Sequence, residues 1–84
     1  MPEIARFYGI IIHMFAKPKE HEPSHIHAVY DNYKAVFNIQ TFEIEEGNMP
    51  RRAKALVVEW LTLHKDELQQ MWDTQTFTKL PPLD

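Results

Sequence analysis

The sequence predicts an α+β domain: a small three- to four-stranded, mainly antiparallel sheet with one long amphipathic helix packed on one face. Three observations lead there. Residues 4–45 are rich in β-branched and aromatic side chains that repeatedly alternate with polar ones, the pattern of strands. Beyond Gly47 the apolar spacing changes to three and four residues, the period of a helix. Between the two, Gly47-Asn48-Met49-Pro50 supplies turn chemistry. The 84 residues are expected to form a single domain, because so short a chain buries only about 60–65% of its unfolded surface and cannot divide into two cores. Within it, 1–46 reads as sheet, 50–75 as helix and 77–84 as an extended tail.

Residues 4–15 read as one central strand, with Phe7, Gly9, Ile11, His13 and Phe15 on one side and Tyr8, Ile10, Ile12 and Met14 on the other. Gly9 weakens that strand and marks a bulge, or a place where a backbone or an aromatic ring comes close. Residues 16–24, with two prolines and alternating charges, form a loop. Alternation returns at His25, placing His25, His27 and Val29 on one face and Ile26, Ala28 and Tyr30 on the other. Asp31-Asn32 tolerates positive φ and predicts a tight hairpin turn into a strand from Tyr33 to Ile39 or Gln40. A short strand over 41–45 follows, with Phe42 and Ile44 inward. Pro50 suits the first turn of a helix, where its missing N–H costs nothing, and Asn48 or a neighbour is placed to accept orphan amides. The helix runs from Arg51 to about Thr74, with Ala53, Leu56, Val57, Trp60, Leu63, His64, Leu68, Met71 and Trp72 near one side. Pro81-Pro82 bars any continuation, so the tail either packs as an extended arm or frays.

Composition narrows the function classes. With 44% hydrophobic and 25% charged residues, the chain has the make-up of an ordinary soluble domain. No apolar run nears the roughly 18–20 residues of a membrane span and no secretory leader is visible, so a cytoplasmic, membrane-free protein is expected. The lack of cysteine removes disulfides, thiolate nucleophiles and Cys-based metal sites. A net charge of −3 supplies no overall field favouring nucleic acid.

The chemically suggestive stretch is HEPSHIHAV, residues 21–29, which holds three of the five histidines. Same-face neighbours on a strand lie about 6.6–6.8 Å apart, so the His25 and His27 imidazoles can converge. A divalent metal such as zinc would need a third ligand, from His21, His13, Glu20, Glu22 or Asp31; no strict ligand spacing is met, and no cofactor is required by the sequence. The plainer reading makes them surface histidines bonded to the backbone or to one another. As catalytic candidates, His25 and His27 would act as a general acid and base on RNA or another phosphoester, with Lys17, Lys19, Arg51 or Arg52 holding phosphate. No serine elbow or phosphate-binding glycine loop accompanies them. Arg51, Arg52 and Lys54 stand in the first helical turn against the positive end of the helix dipole and are candidates for contact with phosphate or an acidic partner. Glu59, Asp66, Glu67 and Asp73 further along would repel a duplex. Trp60 and Trp72 read as core, His64 as a partly buried, hydrogen-bonded histidine, and Glu43, Glu45 and Glu46 as a solvated strand face and polar turn.

Taken together, RFYGIIIHMF, HEPSHIHAVYDNYKAVFNI, FEIEEGNMPRRAKALVVEWLTLHKDELQQMW and LPPL resemble the small prokaryotic family known as domain of unknown function 4160. The resemblance spans nearly the whole chain, its most specific part being Pro-x-His-x-His leading into a strand and Gly-x-x-Pro before a helix with Glu-Trp and Glu-Leu-x-x-x-Trp. It implies recurrent positions at His21, Pro23, His25, His27, Gly47, Pro50, Glu59, Trp60, Glu67, Leu68 and Trp72. It also implies a label of transcriptional regulator and a gene placed beside that of a second small protein, as in toxin–antitoxin pairs. The expected function is a protein-interaction module within such a two-gene system, leaning away from an enzyme. Its partner would be the protein encoded nearby, with a homo-oligomer as a further option. The alternatives are a His-dependent, metal-assisted or metal-free, RNA- or phosphoester-cleaving enzyme and a nucleic-acid-binding transcriptional regulator.

Overall fold

A computed structural model describes residues 3–15 and 23–83. Five strands precede one helix: β1 (Glu3–Phe7), β2 (Ile10–His13), β3 (His25–Tyr30), β4 (Tyr33–Asn38), β5 (Ile44–Gly47) and α1 (Arg51–Thr74). The strands pair in chain order into one antiparallel sheet. The α+β class stands, with one strand more than the expected upper number.

The extra strand comes from the segment expected to be continuous over 4–15. Phe7 pairs with Ile10, and Tyr8 (φ 49°) and Gly9 (φ 81°) between them are both left-handed, which makes a two-residue hairpin of the type that follows the sheet's twist. The bulge expected at Gly9 lies instead in β1, where the register shifts between Glu3 and Ala5. An aromatic ring does approach Gly9: a Cβ there would stand 3.5 Å from the Tyr30 ring. The turn at Asp31-Asn32 forms as expected, with Tyr30 opposite Tyr33 and Asp31 at φ 52°. β5 starts later than expected. Phe42, foreseen as a strand residue, turns at φ 65°, and the preceding loop is wound around Asn38.

The core occupies one side of the sheet. Ile4, Phe7, Ile10, Ile12, Met14, Ile26, Ala28, Phe37 and Ile39 meet Val57, Trp60, Leu61, Leu68 and Trp72 of α1, all buried. At about 100° per residue the buried positions centre between Ala53 and Val57, which brings Leu61 in and leaves Leu63 roughly 120° away. Leu63 is accordingly 65% exposed, contrary to its expected place in the stripe, and Leu61 fills that role. The helix begins after Pro50 with no side-chain cap, so Asn48 does not serve as one, and the first helical bond runs from the Lys54 amide to the Pro50 carbonyl at 2.8 Å. It ends on Gln75 in the left-handed region and is distorted at His64 (φ −120°, ψ 18°). The tail packs rather than frays over its described part: the Leu80 amide donates to the Ile4 carbonyl (2.9 Å), and the Trp60 indole donates to the Pro81 carbonyl (2.9 Å). Among the described residues no helix is long and apolar enough to cross a membrane.

Candidate functional site

The face of the sheet turned away from α1 gathers most of the chemically distinctive side chains. Residues directly opposite in an antiparallel pair share a face, so the register fixes two rows across the strands. One runs Arg6, Ile11, Val29, Lys34; the other runs Glu3, His13, His27, Val36, Glu46. Past the second row stands Phe15, whose ring meets His27 edge-on at 4.7 Å and stacks on His13 at 5.8 Å. Helix α1 and the arm pack on the other face, through the core residues named above. Ile11, His13, Phe15, His27, Val29 and Val36 are therefore half-buried, and a cleft of about 630 Å³ opens among His13, Phe15, His27, Val29, Lys34 and Val36. The Nδ1 atom of His13 is buried with no hydrogen-bond partner. At the sheet edge the Arg6 guanidinium holds the Glu3 carboxylate at 2.9 and 3.2 Å. That hydrogen bond pulls the Glu3 carboxyl below the usual glutamate range and raises Arg6 in turn. Both are open to water, so the pair contributes little to stability.

His25 and His27 share a face as expected, with ring centroids 5.2 Å apart, but their settings differ. His25 is 6% exposed. Its ring lies 4.9 Å from that of Trp72, and its Nδ1–H donates to the Pro23 carbonyl at 2.8 Å, which fixes the proton on Nδ1 because a carbonyl can only accept. His27 stays at the wall of the cleft. The expected histidine cluster is not formed: among the described residues no three His, Asp or Glu side chains stand so as to hold a metal ion. The reasons are local. One nitrogen of His25 is committed to backbone, its ring is packed on tryptophan, and Phe15 fills the space beside His27. His21, Lys17, Lys19, Glu20 and Glu22 lie outside the described residues.

The basic candidates stand elsewhere. Arg51, Arg52 and Lys54 are exposed at the start of α1, whose first turn holds no acidic residue. Arg52 lines a second cleft, about 550 Å³, with Tyr8, Tyr30, Leu56, Glu59 and Leu83. The two clefts share no lining residue: Arg52 stands apart from His13 and His27, whose cleft has Lys34 as its basic lining residue. His64 pairs with Glu67 at 2.7 Å beside the buried Trp60, a local contact on one helix.

Sequence reasoning missed two residues of consequence. Asn38, which the sequence places simply within the strand from Tyr33, is 8% exposed and organises the β4–β5 loop. Glu3, which precedes the strand expected over 4–15, takes a place in the row of His13 and His27. Only the strand register reveals that, and the hairpin at Tyr8-Gly9 sets the register.

A family model described as domain of unknown function (DUF4160) matches residues 9–73. The chain belongs to this family. No curated protein and no solved structure matches it. For this DUF4160 chain the matched span takes in β2 to β5 and nearly all of α1, and so covers the His13–His27 row from its second strand onward. The turn residue Tyr8, strand β1 and the arm fall outside it.

Proposed function

We propose that this chain is a protein-interaction module, one component of a two-gene system of toxin–antitoxin-like or regulatory type, with the open face of its sheet as the contact surface. The observation that carries the reading is the apolar character of that face. An antiparallel sheet with one side in water normally alternates apolar-in and polar-out. Here the outward positions include Ile11, Phe15, Val29 and Val36, grouped around a cleft. Contiguous apolar surface of this kind marks contact with another macromolecule. The resemblance noted above adds the neighbouring gene as a source of partner. No step of chemistry is needed for this role, and Arg51 and Arg52 do not line the cleft that holds His13 and His27.

The test is co-expression with the neighbouring gene, followed by co-purification and measurement of size. The wild-type chain is expected to self-associate or to leave the column in a complex. Val36→Glu, which puts a carboxylate in the middle of the face, is expected to abolish that association, and Leu63→Glu on the exposed side of α1 to leave it intact. A wild-type chain that is monomeric and uncomplexed, or an association indifferent to Val36→Glu, refutes the reading. Loss of a biological effect in His27→Ala with the complex intact would favour chemistry instead.

A further inference from the structure

We infer that the open sheet face is a homotypic surface: a second copy of this chain packs against it about a two-fold axis that runs across the strands. The inference rests on the interaction reading above and names its partner. Two sheets that stack face to face about a two-fold must have the axis in the plane between them, and aligned packing allows it to lie either along the strands or across them. The charges on the two rows decide which. Arg6 and Lys34 mark the ends of one row, Glu3 and Glu46 the ends of the other. An axis along the strands sets β1 over the far edge of the partner sheet and keeps each row over its own image. With the axis along β3, Glu3 faces the image of Glu46; with the axis between β2 and β3, Arg6 faces that of Lys34, so like charges are opposed in either placement. An axis across the strands, midway between the rows, exchanges them. Arg6 then faces the image of Glu3, and Lys34 faces that of Val36 with Glu46 beside it. The centre closes as Ile11 over His13 and Val29 over His27, apolar side chains against half-buried rings. The face is complementary to itself in that one arrangement.

The pattern also explains why the rim carries its charges in this order. Rows of mixed sign at each edge would not select an axis. Rows of one sign each admit a single two-fold, and like-charge opposition in the other is the kind of penalty that sets register between copies. The Glu3–Arg6 ion pair within one chain is exposed and exchanges readily for the same pair between chains.

The experiment is a charge exchange in trans, read by sedimentation velocity on the full chain from about 10 µM to about 1 mM. Arg6→Glu and Glu3→Arg are made separately. Each is expected to weaken self-association at least about tenfold, because carboxylates, or guanidinium groups, are then opposed across the axis. An equimolar mixture of the two is expected to recover a 1:1 pair, since every 3–6 contact again joins opposite signs. Recovery in trans cannot arise from the bond within one chain. Lys34→Glu, at an exposed position on β4 away from the β1 edge, serves if either edge variant loses its fold by circular dichroism, and is expected to weaken association through Glu46. A wild-type chain that stays monomeric to about 1 mM overturns the inference. So does a dimer that keeps its affinity in all three variants. If the neighbour's product occupies the face and the chain alone is monomeric, the homotypic inference falls while the interaction reading stands. If nothing binds, both fall.

Discussion

At Gly47 the chain runs in the left-handed region (φ 80°) so near β4 that a Cβ would collide with the Lys34 carbonyl oxygen and stand 3.1 Å from the Ala35 Cα. Both obstacles are backbone in a paired strand and neither can swing aside. Gly9 has nearly the same φ, 81°, but its added Cβ would meet only the Tyr30 ring at an ordinary 3.5 Å. The two glycines should therefore respond differently to the same change. Gly9→Ala is expected to cost about 1–2 kcal/mol, the penalty for a side chain in the left-handed region. Gly47→Ala adds displacement of the β4–β5 pairing, for a total of about 3 kcal/mol or more. Urea denaturation of both variants checks the order; equal losses would show that the Gly47 contact relaxes without effect. At Tyr8 the opposite choice was made, since a tyrosine occupies φ 49° where Asn, Asp or Gly would be expected. The residue is 57% exposed at the edge of the second cleft.

Among the elements, those whose special positions carry the expected residue types were legible, and those that do not were not. Asp31-Asn32 announces its hairpin because both residues accept unusual backbone angles. Tyr8-Gly9 hides one, because tyrosine at the first turn position resembles strand, and so β1 and β2 read as one run. The helix was legible to its last turn because its period persists over 24 residues. Only the phase of its buried stripe was misplaced, by the choice of Leu63 over Leu61. The His25–His27 pairing on one face followed from strand period alone, whereas the sinking of His25 against Trp72 depends on a contact some 47 positions apart in the chain, which no local pattern encodes. The β4–β5 loop was illegible for a similar reason. Asn38 holds it through Oδ1, which accepts from the amides of Gln40 (2.7 Å) and Thr41 (3.0 Å), and through Nδ2, which donates to Glu45 (2.9 Å). Asn38→Ala leaves two loop amides without that acceptor and is expected to cost about 2–3 kcal/mol. Asn38→Asp keeps the acceptor but opposes the Glu45 carboxylate. Such a pair raises the folded pKa of one member, so the penalty is present at neutral pH and shrinks as pH falls through that raised value. Thermal melts of Asn38→Asp at pH 7 and pH 4.5 check the sign relative to wild type: a deficit that grows on acidification would contradict the assignment.

The molecule as a whole has only two layers, a sheet and a helix. One face of the sheet carries the core, so every group that seals that core has a large share in stability. Strand β1 is an edge, and its outer side meets the arm through the bond from Leu80 to Ile4. The arm also caps the fully buried Trp60 through Pro81, and Phe77, Leu80 and Leu83 rest against the core. Trp60 in turn meets Phe7 of β1 at 5.7 Å, so helix, edge strand and arm close on one another at this point. The arm lies beyond the family match, yet it satisfies an indole N–H that burial would otherwise leave without a partner. A chain ending at residue 76 loses three partly buried apolar side chains, at up to about 1.5–3 kcal/mol each when fully buried, and two hydrogen bonds at about 1 kcal/mol each. With partial burial discounted, the loss is about 3–5 kcal/mol, a large part of the 5–15 kcal/mol typical of a domain. For so small a chain that lowers Tm by about 15–30 °C. Trp60→Phe in the full-length chain separates the contributions, since it removes the indole bond while keeping a ring in the core, and should retain the arm's apolar packing. Calorimetry of the two variants should rank truncation as the more damaging. A truncated chain that melts within a few degrees of wild type would mean that β1 and Trp60 hold without the arm.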